Sequence, residues 1–274
     1  MQIYSLYLRQ NYLAMSKKTV SNLVVVENSA LNSTNFLIRL QASFSLPEIF
    51  PGQFVNIEVK NTDEIFLRRP FSVFEVDYTN KIISIIVKIL GRGSKKLTEL
   101  KVNDIVNLIM PLGKSFTYPN KNDKILLVGG GSGVAPMLFL AKESQLPREN
   151  VDIILGARTK DDLIDISGYT KFGNLHCTTE DGSKGSKGFV IHHPRILNSI
   201  KEYSKIYACG PDAMMKAVAG IAKQSNIFCE VSLENLMACG FGVCLCCIEP
   251  TVKGNVCICT EGPVFNINDL KWQI

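Results

Sequence analysis

The chain lacks any apolar run approaching the ~18 to 20 residues that cross a bilayer. Its densest short stretch, Ile82 to Leu90, already contains Ser84 and Lys88. A membrane-spanning helix is therefore not expected. Met1 to Ala14 has no basic leading region, and Arg9, Gln10 and Asn11 interrupt the place where a signal peptide is continuously apolar. The expectation is a cytoplasmic protein, with residues 1–19 an N-terminal extension and Met15 an alternative translation start. Charge blocks are missing too: 30 Lys and Arg against 25 Asp and Glu leave a net charge of +5 scattered along the chain, unlike the clustered basic faces of nucleic-acid binders. Histidine is scarce, and His176, His192 and His193 read as structural or surface residues. No nucleophile or acid–base dyad stands out.

Cysteine, by contrast, is in surplus. A reducing compartment makes a disulfide framework of nine cysteines improbable and points to metal or redox chemistry. Cys177, Cys209 and Cys229 stand apart, whereas Cys239, Cys244, Cys246, Cys247, Cys257 and Cys259 fall within 21 positions. With 274 residues, 46% of them hydrophobic, the chain exceeds the ~100 to 200 residues of one ordinary domain and can bury a full core.

From Val20 to Met110 the chain reads as six short strands rich in Val, Ile and Phe with turn residues between them, which predicts a small antiparallel β-barrel. After Tyr118-Pro119-Asn120 the texture changes. Short apolar strands at 124–128, 151–155, 175–179, 206–209 and 228–231 alternate with helices over 134–144 and 211–224, which predicts a parallel sheet covered on both faces. The expected whole is an α+β multidomain protein: a barrel over 20–118, an α/β nucleotide-binding domain over 119–228 and a small cysteine module over 229–274.

Four motifs carry chemistry. Gly129-Gly130-Gly131-Ser132-Gly133, between a strand and a helix, lets backbone N–H groups approach a pyrophosphate, although glycines there also serve as a mere tight connection. Arg69-Pro70-Phe71-Ser72 offers a cation, a rigid turn, an aromatic edge and a hydroxyl on one barrel strand. A second strand, Val87-Lys88-Ile89-Leu90, ends in Gly91-Arg92-Gly93-Ser94. Most specific is Cys239-x4-Cys244-x2-Cys247 followed by Cys259, the C-x4-C-x2-C…C spacing of plant-type [2Fe–2S] sites. Gly240 and Gly242 let that loop wrap a cluster. Zinc is the rival, yet structural zinc generally uses two C-x2-C pairs and only one is clear. On spacing Cys246 is the bystander, and Cys257 reads as an ordinary buried thiol because the tight turn Thr260 to Phe265, which can close the site, follows Cys259.

From about Val20 onward these motifs, in this order and with Cys209-Gly210-Pro211 and Cys259-Thr-Glu-Gly-Pro-Val-Phe265 after them, resemble the electron-transfer subunits of NAD-dependent dihydroorotate dehydrogenases, within the ferredoxin reductase superfamily. The resemblance implies that Arg69, Pro70, Phe71 and Ser72 hold FAD, that Ile86, Val87 and Lys88 form a second flavin-contacting strand, and that Gly93 and Ser94 contact its phosphates. It places the nicotinamide nucleotide on Gly129, Gly130, Gly131, Ser132 and Gly133 with Cys209, Gly210 and Pro211, and the cluster on Cys239, Cys244, Cys247 and Cys259. An FMN-containing catalytic subunit would oxidise dihydroorotate to orotate, electrons would cross the cluster to FAD, and hydride would leave to NAD+, in a heterotetramer of two chains of each kind. Lys88 stands where the family more often has Arg, Phe71 where Tyr or Ile is frequent, and Met110 where Gly precedes Pro111-Leu112-Gly113. Arg158 and Lys160, after the second nucleotide-domain strand, leave NAD and NADP both open. Two other readings stand beside this one: an electron-transfer subunit of another reductase complex, such as a bifurcating transhydrogenase or a hydrogenase diaphorase, and a zinc-stabilised binding module without redox activity.

Overall fold

The structure is a computed structural model that describes residues 18–60, 64–164 and 167–274. The expectations for Met1 to Lys17 lie outside the described residues. Strands β1 (Thr19–Ala30), β2 (Asn35–Gln41), β3 (Phe54–Ile57), β4 (Arg69–Asp77), β5 (Ile82–Lys88) and β6 (Ile105–Leu112) close into a barrel in the order β1-β2-β5-β4-β3-β6. Every neighbouring pair is antiparallel. Helix α1 (Arg92–Thr98) follows β5. The interior is filled by Leu23, Val25, Ile38, Leu40, Val55, Ile57, Val73, Ile83, Ile85, Val87, Leu108 and Met110. Strand β5 departs from simple alternation, its five central residues all being buried. Val87 points into the barrel, while Ile86 joins Leu37 and Phe74 in covering the neighbouring domain. A strand squeezed from both sides reads as an apolar run, and Ile82 to Val87 is one but for the buried Ser84.

The second domain is a seven-stranded sheet ordered β10-β9-β8-β7-β11-β12-β15. Its strands are β7 (Ile125–Gly130), β8 (Val151–Ala157), β9 (Asn174–Thr179), β10 (Ser186–Lys187), β11 (Lys205–Cys209), β12 (Phe228–Ser232) and β15 (Val264–Asn266). All are parallel except β15, which adds an antiparallel edge to β12. The hairpin β13 (Ile248–Thr251) and β14 (Gly254–Cys257), with α5 (Ile258–Glu261), lies between β12 and β15 in sequence. The sheet therefore extends past residue 228 into the stretch expected to form the cysteine module.

Along β7, Ile125 and Leu127 face one core and Leu126 and Val128 the other, so the strand is apolar throughout. On one side lies α2 (Val134–Glu143), whose residues from Val134 to Ala141 are all buried because the sheet covers one flank and the barrel wall the other. On the other lies α4 (Asp212–Gln224), amphipathic, burying Met215, Val218, Ala219 and Ala222. The short α3 (Pro194–Leu197) sits beside them and buries Ile196. Chain order runs outward from β7 through β8 and β9, then returns to β7's other side with β11. The ends of β7 and β11 thus form the switch point where open α/β sheets bind ligands.

Candidate flavin, nucleotide and cluster sites

A cleft of about 430 Å³ opens between the barrel and the nucleotide sheet. From β4 come Arg69, Pro70, Phe71 and Ser72; from β5, Ile86 and Lys88; from the turn into α1, Gly91, Gly93 and Ser94. Gly93 permits a close approach: a Cβ there would lie 2.6 Å from Arg69 Nε, so the guanidinium rests against the bare glycine backbone. Ser94 supports the turn internally, its hydroxyl accepting the N–H groups of Leu90 (2.8 Å) and Gly91 (3.1 Å). This leaves a fixed cation beside a tight backbone turn, the arrangement a pyrophosphate needs. Val87, buried in the barrel, is the one residue of that strand set that does not reach the cleft.

Across the cleft stand Ser132 and Ala135 of the glycine turn and the start of α2, and then Ser232, Leu233, Glu234, Asn235 and Met237. Lys88 bridges the domains: its Nζ lies 3.4 Å from where a Cβ on Gly131 would be. Cys209 is level with Gly129 in the sheet, and a Cβ on Gly133 would strike the Cys209 carbonyl oxygen at 2.3 Å. The two turns expected to share a nucleotide thus touch. Gly210 and Pro211 line a smaller recess of about 270 Å³ that meets the main cleft at Leu233 and Glu234. The Cys209 side chain is buried, and burial pushes its thiol far up, so it stays protonated. Arg158 is exposed and lies 3.8 Å from Asp162.

Sequence reasoning missed Glu234 and Asn56. The Glu234 carboxyl is pushed up by its crowded surroundings and pulled back by the Lys88 charge. Its only sequence signal is an acid five positions before the first clustered cysteine. Asn56 is fully buried in β3, and its Nδ2 donates to the Cys239 carbonyl at 3.1 Å, tying the cysteine loop to the barrel. A polar residue inside the apolar run Phe54-Val55-Asn56-Ile57 was the available clue.

The cysteine loop is built as a sulfur cradle. Gly240 and Gly242 hold φ values of +82° and +91°, which side-chain-bearing residues rarely adopt, and so turn the loop back on itself. Cys239 Sγ accepts the N–H groups of Phe241 and Cys244, both at 3.5 Å, and Cys247 Sγ accepts that of Cys259 at 3.4 Å. Partial burial opposes ionisation of Cys239, but those N–H groups outweigh it and bring its thiol down to about 6. Cys259, buried against Cys247, is pushed up to about 12. Among the described residues no group of three or more His, Cys, Asp or Glu is arranged to close on a single ion. Thiols from one loop and one hairpin end, with backbone N–H groups aimed at their sulfurs, fit a polynuclear cluster.

Comparison with known proteins decides between metals. The iron–sulfur cluster binding domain of dihydroorotate dehydrogenase B matches residues 234–271, an oxidoreductase NAD-binding domain matches 127–220 and an oxidoreductase FAD-binding domain matches 21–118. The electron transfer subunit of dihydroorotate dehydrogenase B (NAD(+)) from Fusobacterium nucleatum is 33% identical over 92% of this chain and 98% of its own length. The chain belongs to this family. The Clostridium acetobutylicum member is 35% identical over 88% of the chain and 93% of its own. Among solved structures, a chain from the NADH-dependent reduced ferredoxin-NADP oxidoreductase superposes with a TM-score of 0.81 at 29% identity, covering 91% of this chain and 90% of that one. A ferredoxin reductase of carbazole 1,9a-dioxygenase, 23% identical with a TM-score of 0.67 over 78% of this chain and 68% of its own, shares the fold. Like other members of the dihydroorotate dehydrogenase B electron transfer family, the chain carries FAD-binding, NAD-binding and iron–sulfur cluster binding domains. No described helix is long and apolar enough to cross a membrane.

Proposed function

We propose that this chain passes electrons between a [2Fe–2S] cluster, FAD and NAD for a separate FMN-containing subunit that oxidises dihydroorotate to orotate. When bound, FAD exchanges hydride with a nicotinamide and single electrons with the cluster, so it converts between two-electron and one-electron carriers. The carrying observation is the shared wall: Leu233, Glu234, Asn235 and Met237 line the flavin cleft, and Cys239 follows Met237 after a single intervening residue. Arg69, with the Gly93–Ser94 turn, takes the flavin pyrophosphate. Pro70, Phe71, Ser72, Ile86 and Lys88 shape the ring end, and Val87 backs them from inside the barrel. Gly129, Gly130, Gly131, Ser132 and Gly133, with Cys209, Gly210 and Pro211, position the nicotinamide nucleotide. Hydride transfer between stacked rings needs such positioning rather than an acid or base. Cys239, Cys244, Cys247 and Cys259 hold the irons.

The barrel spans 20–118, the nucleotide domain 119–228 and the cluster module 229–274, the module lending β15 and most of β12 to the nucleotide sheet. Leu236, Val243, Leu245 and Val252 are 58–80% exposed around the cysteine loop, an apolar surface suited to a partner that delivers electrons there. The assembly is two of each subunit, in the cytoplasm. The test is anaerobic purification with and without that partner. We expect flavin and iron–sulfur absorbance in the isolated chain, both bleached by NADH, and dihydroorotate-dependent NAD+ reduction only in the complex, at a mass of two plus two. A colourless protein, or one that couples NADH to a ferredoxin and never to dihydroorotate, overturns the reading.

A further inference from the structure

We propose that Asn56 is a positioning residue for electron transfer between flavin and cluster, its side-chain amide fixing Cys239 against the flavin-bearing wall of the barrel. The inference rests on the flavin and cluster reading above. Strand β3 runs antiparallel to the flavin motif in register with it, Phe54 opposite Ser72 and Asn56 opposite Pro70. Val55 and Ile57 point into the barrel. Directly opposed residues share a face of a sheet, so Asn56 stands on the same outer face as Phe54, Pro70 and Ser72, which line the cleft. From there its Nδ2 donates to the Cys239 carbonyl at 3.1 Å. A Cβ on Gly240 would lie 2.7 Å from that Nδ2 and 3.4 Å from Leu112 Cδ1, so the loop backbone rests directly on β3 and β6.

Hydrogen bonds from Asn235 Nδ2 to the Ile248 carbonyl, and from the Phe241 and Cys244 N–H groups to Cys239 Sγ, run within the module. They shape the loop but do not set its distance from the flavin wall. Asn56 does. It is fully buried, and its Oδ1 has no hydrogen-bond partner among the described residues. An unpaired buried acceptor is a cost that a leucine of similar volume would avoid, so what the site gains from an amide here is its donor. The transfer it serves balances: NADH gives hydride to FAD and leaves as NAD+, and one electron of that pair passes on to the cluster. Single-electron transfer weakens steeply with separation. A slack Cys239 therefore slows that step and leaves hydride transfer alone.

The test compares Asn56→Leu, which keeps the volume, and Asn56→Ala, which cannot crowd Gly240, with the parent chain, all purified anaerobically. FAD, iron and acid-labile sulfide per chain are measured first. Each protein is then mixed with saturating NADH in a stopped-flow spectrophotometer, where flavin bleaching follows hydride transfer and iron–sulfur bleaching follows transfer to the cluster. A dye-mediated titration gives the midpoint potential of the cluster. We expect the variants to keep both cofactors, the flavin phase and the midpoint to match the parent's, and the iron–sulfur phase to slow by about ten-fold or more, as when a group orienting a metal ligand is removed. An iron–sulfur phase as fast as the parent's overturns the proposal, as does a flavin phase slowed by the same factor or a midpoint shift large enough to account for the slowing. Loss of the cluster from both variants overturns it too, by making Asn56 a support of the module and not of the transfer. Absence of iron from the parent refutes the cluster reading instead.

Discussion

Arg69 and Gly93 are 24 positions apart and act as one feature, because the guanidinium lies where any side chain on Gly93 would stand. Gly93 has no left-handed backbone requirement, so replacing it by Ala should leave the fold intact and displace only the cation. A charged hydrogen bond is worth ~1.5 to 3 kcal/mol, which converts to about ten- to a hundred-fold in affinity. Gly93→Ala is therefore expected to lower FAD retention by that factor while its melting temperature in the flavin-free form stays near the parent's. Flavin-to-protein ratio after dialysis measures the first and calorimetry the second. Undiminished retention would remove Arg69 from the flavin phosphate. The motif Arg69 to Ser72 was visible in the sequence. Its partner Gly93 was visible too, but that the two touch is a consequence of β4 and β5 lying side by side in the barrel.

The elements of the nucleotide domain are joined by a buried ionic knot remote from the cofactors. Asp152 on β8 accepts a hydrogen bond from Tyr203 Oη at 2.6 Å, pairs with His176 Nε2 on β9 at 3.0 Å and lies 3.9 Å from Arg195 Nε on α3. Burial raises the Asp152 carboxyl, but His176, Tyr203 and Arg195 together outweigh it and bring it down to about 2. With the folded value below the ~3.9 of an unfolded aspartate, the knot's stabilisation is complete above about pH 4 and fades as pH falls toward 2. Its size is about 2 kcal/mol. Asp152→Asn is expected to lose roughly that much at neutral pH and to flatten the acid limb of the stability curve. Denaturant titrations at pH 7 and pH 3 check both, and an unchanged acid limb would assign the acid sensitivity to other carboxylates. An aspartate second in an apolar strand, with a histidine on the next, gave no sequence signal, since pairing register brings them together.

At the scale of the whole molecule the three parts share their interior. Phe54 and Leu112 of the barrel, Val128 and Ala208 of the sheet, and Cys247 and Cys259 of the cluster module belong to one buried apolar cluster. The connection between barrel and sheet is clamped as well. Glu230 accepts the Thr117 N–H at 2.8 Å and its hydroxyl at 2.7 Å, and Tyr207 Oη donates to the Thr117 carbonyl at 2.8 Å. Parts that share a core unfold together. Thermal unfolding is expected to be a single transition, and stripping the irons with a chelator should lower its midpoint by several degrees, since a group bound only by the folded state stabilises all of it. Scanning calorimetry tests this; separate transitions, or a midpoint indifferent to iron, would make the module an independent appendage.

What could be read from residue order was everything local. Short runs of Val, Ile and Phe between turn residues marked the six barrel strands, glycine between an apolar strand and a helix marked the nucleotide turn, and cysteine spacing marked the cluster, because each depends on neighbours a few positions apart. Folding alone settled what depends on distant segments meeting. It carried β15 into the nucleotide sheet, set Glu234 beside Lys88 and anchored the cysteine loop on Asn56. Those contacts arise from sheet register and from closure of the barrel against the sheet, and no spacing along the chain encodes them.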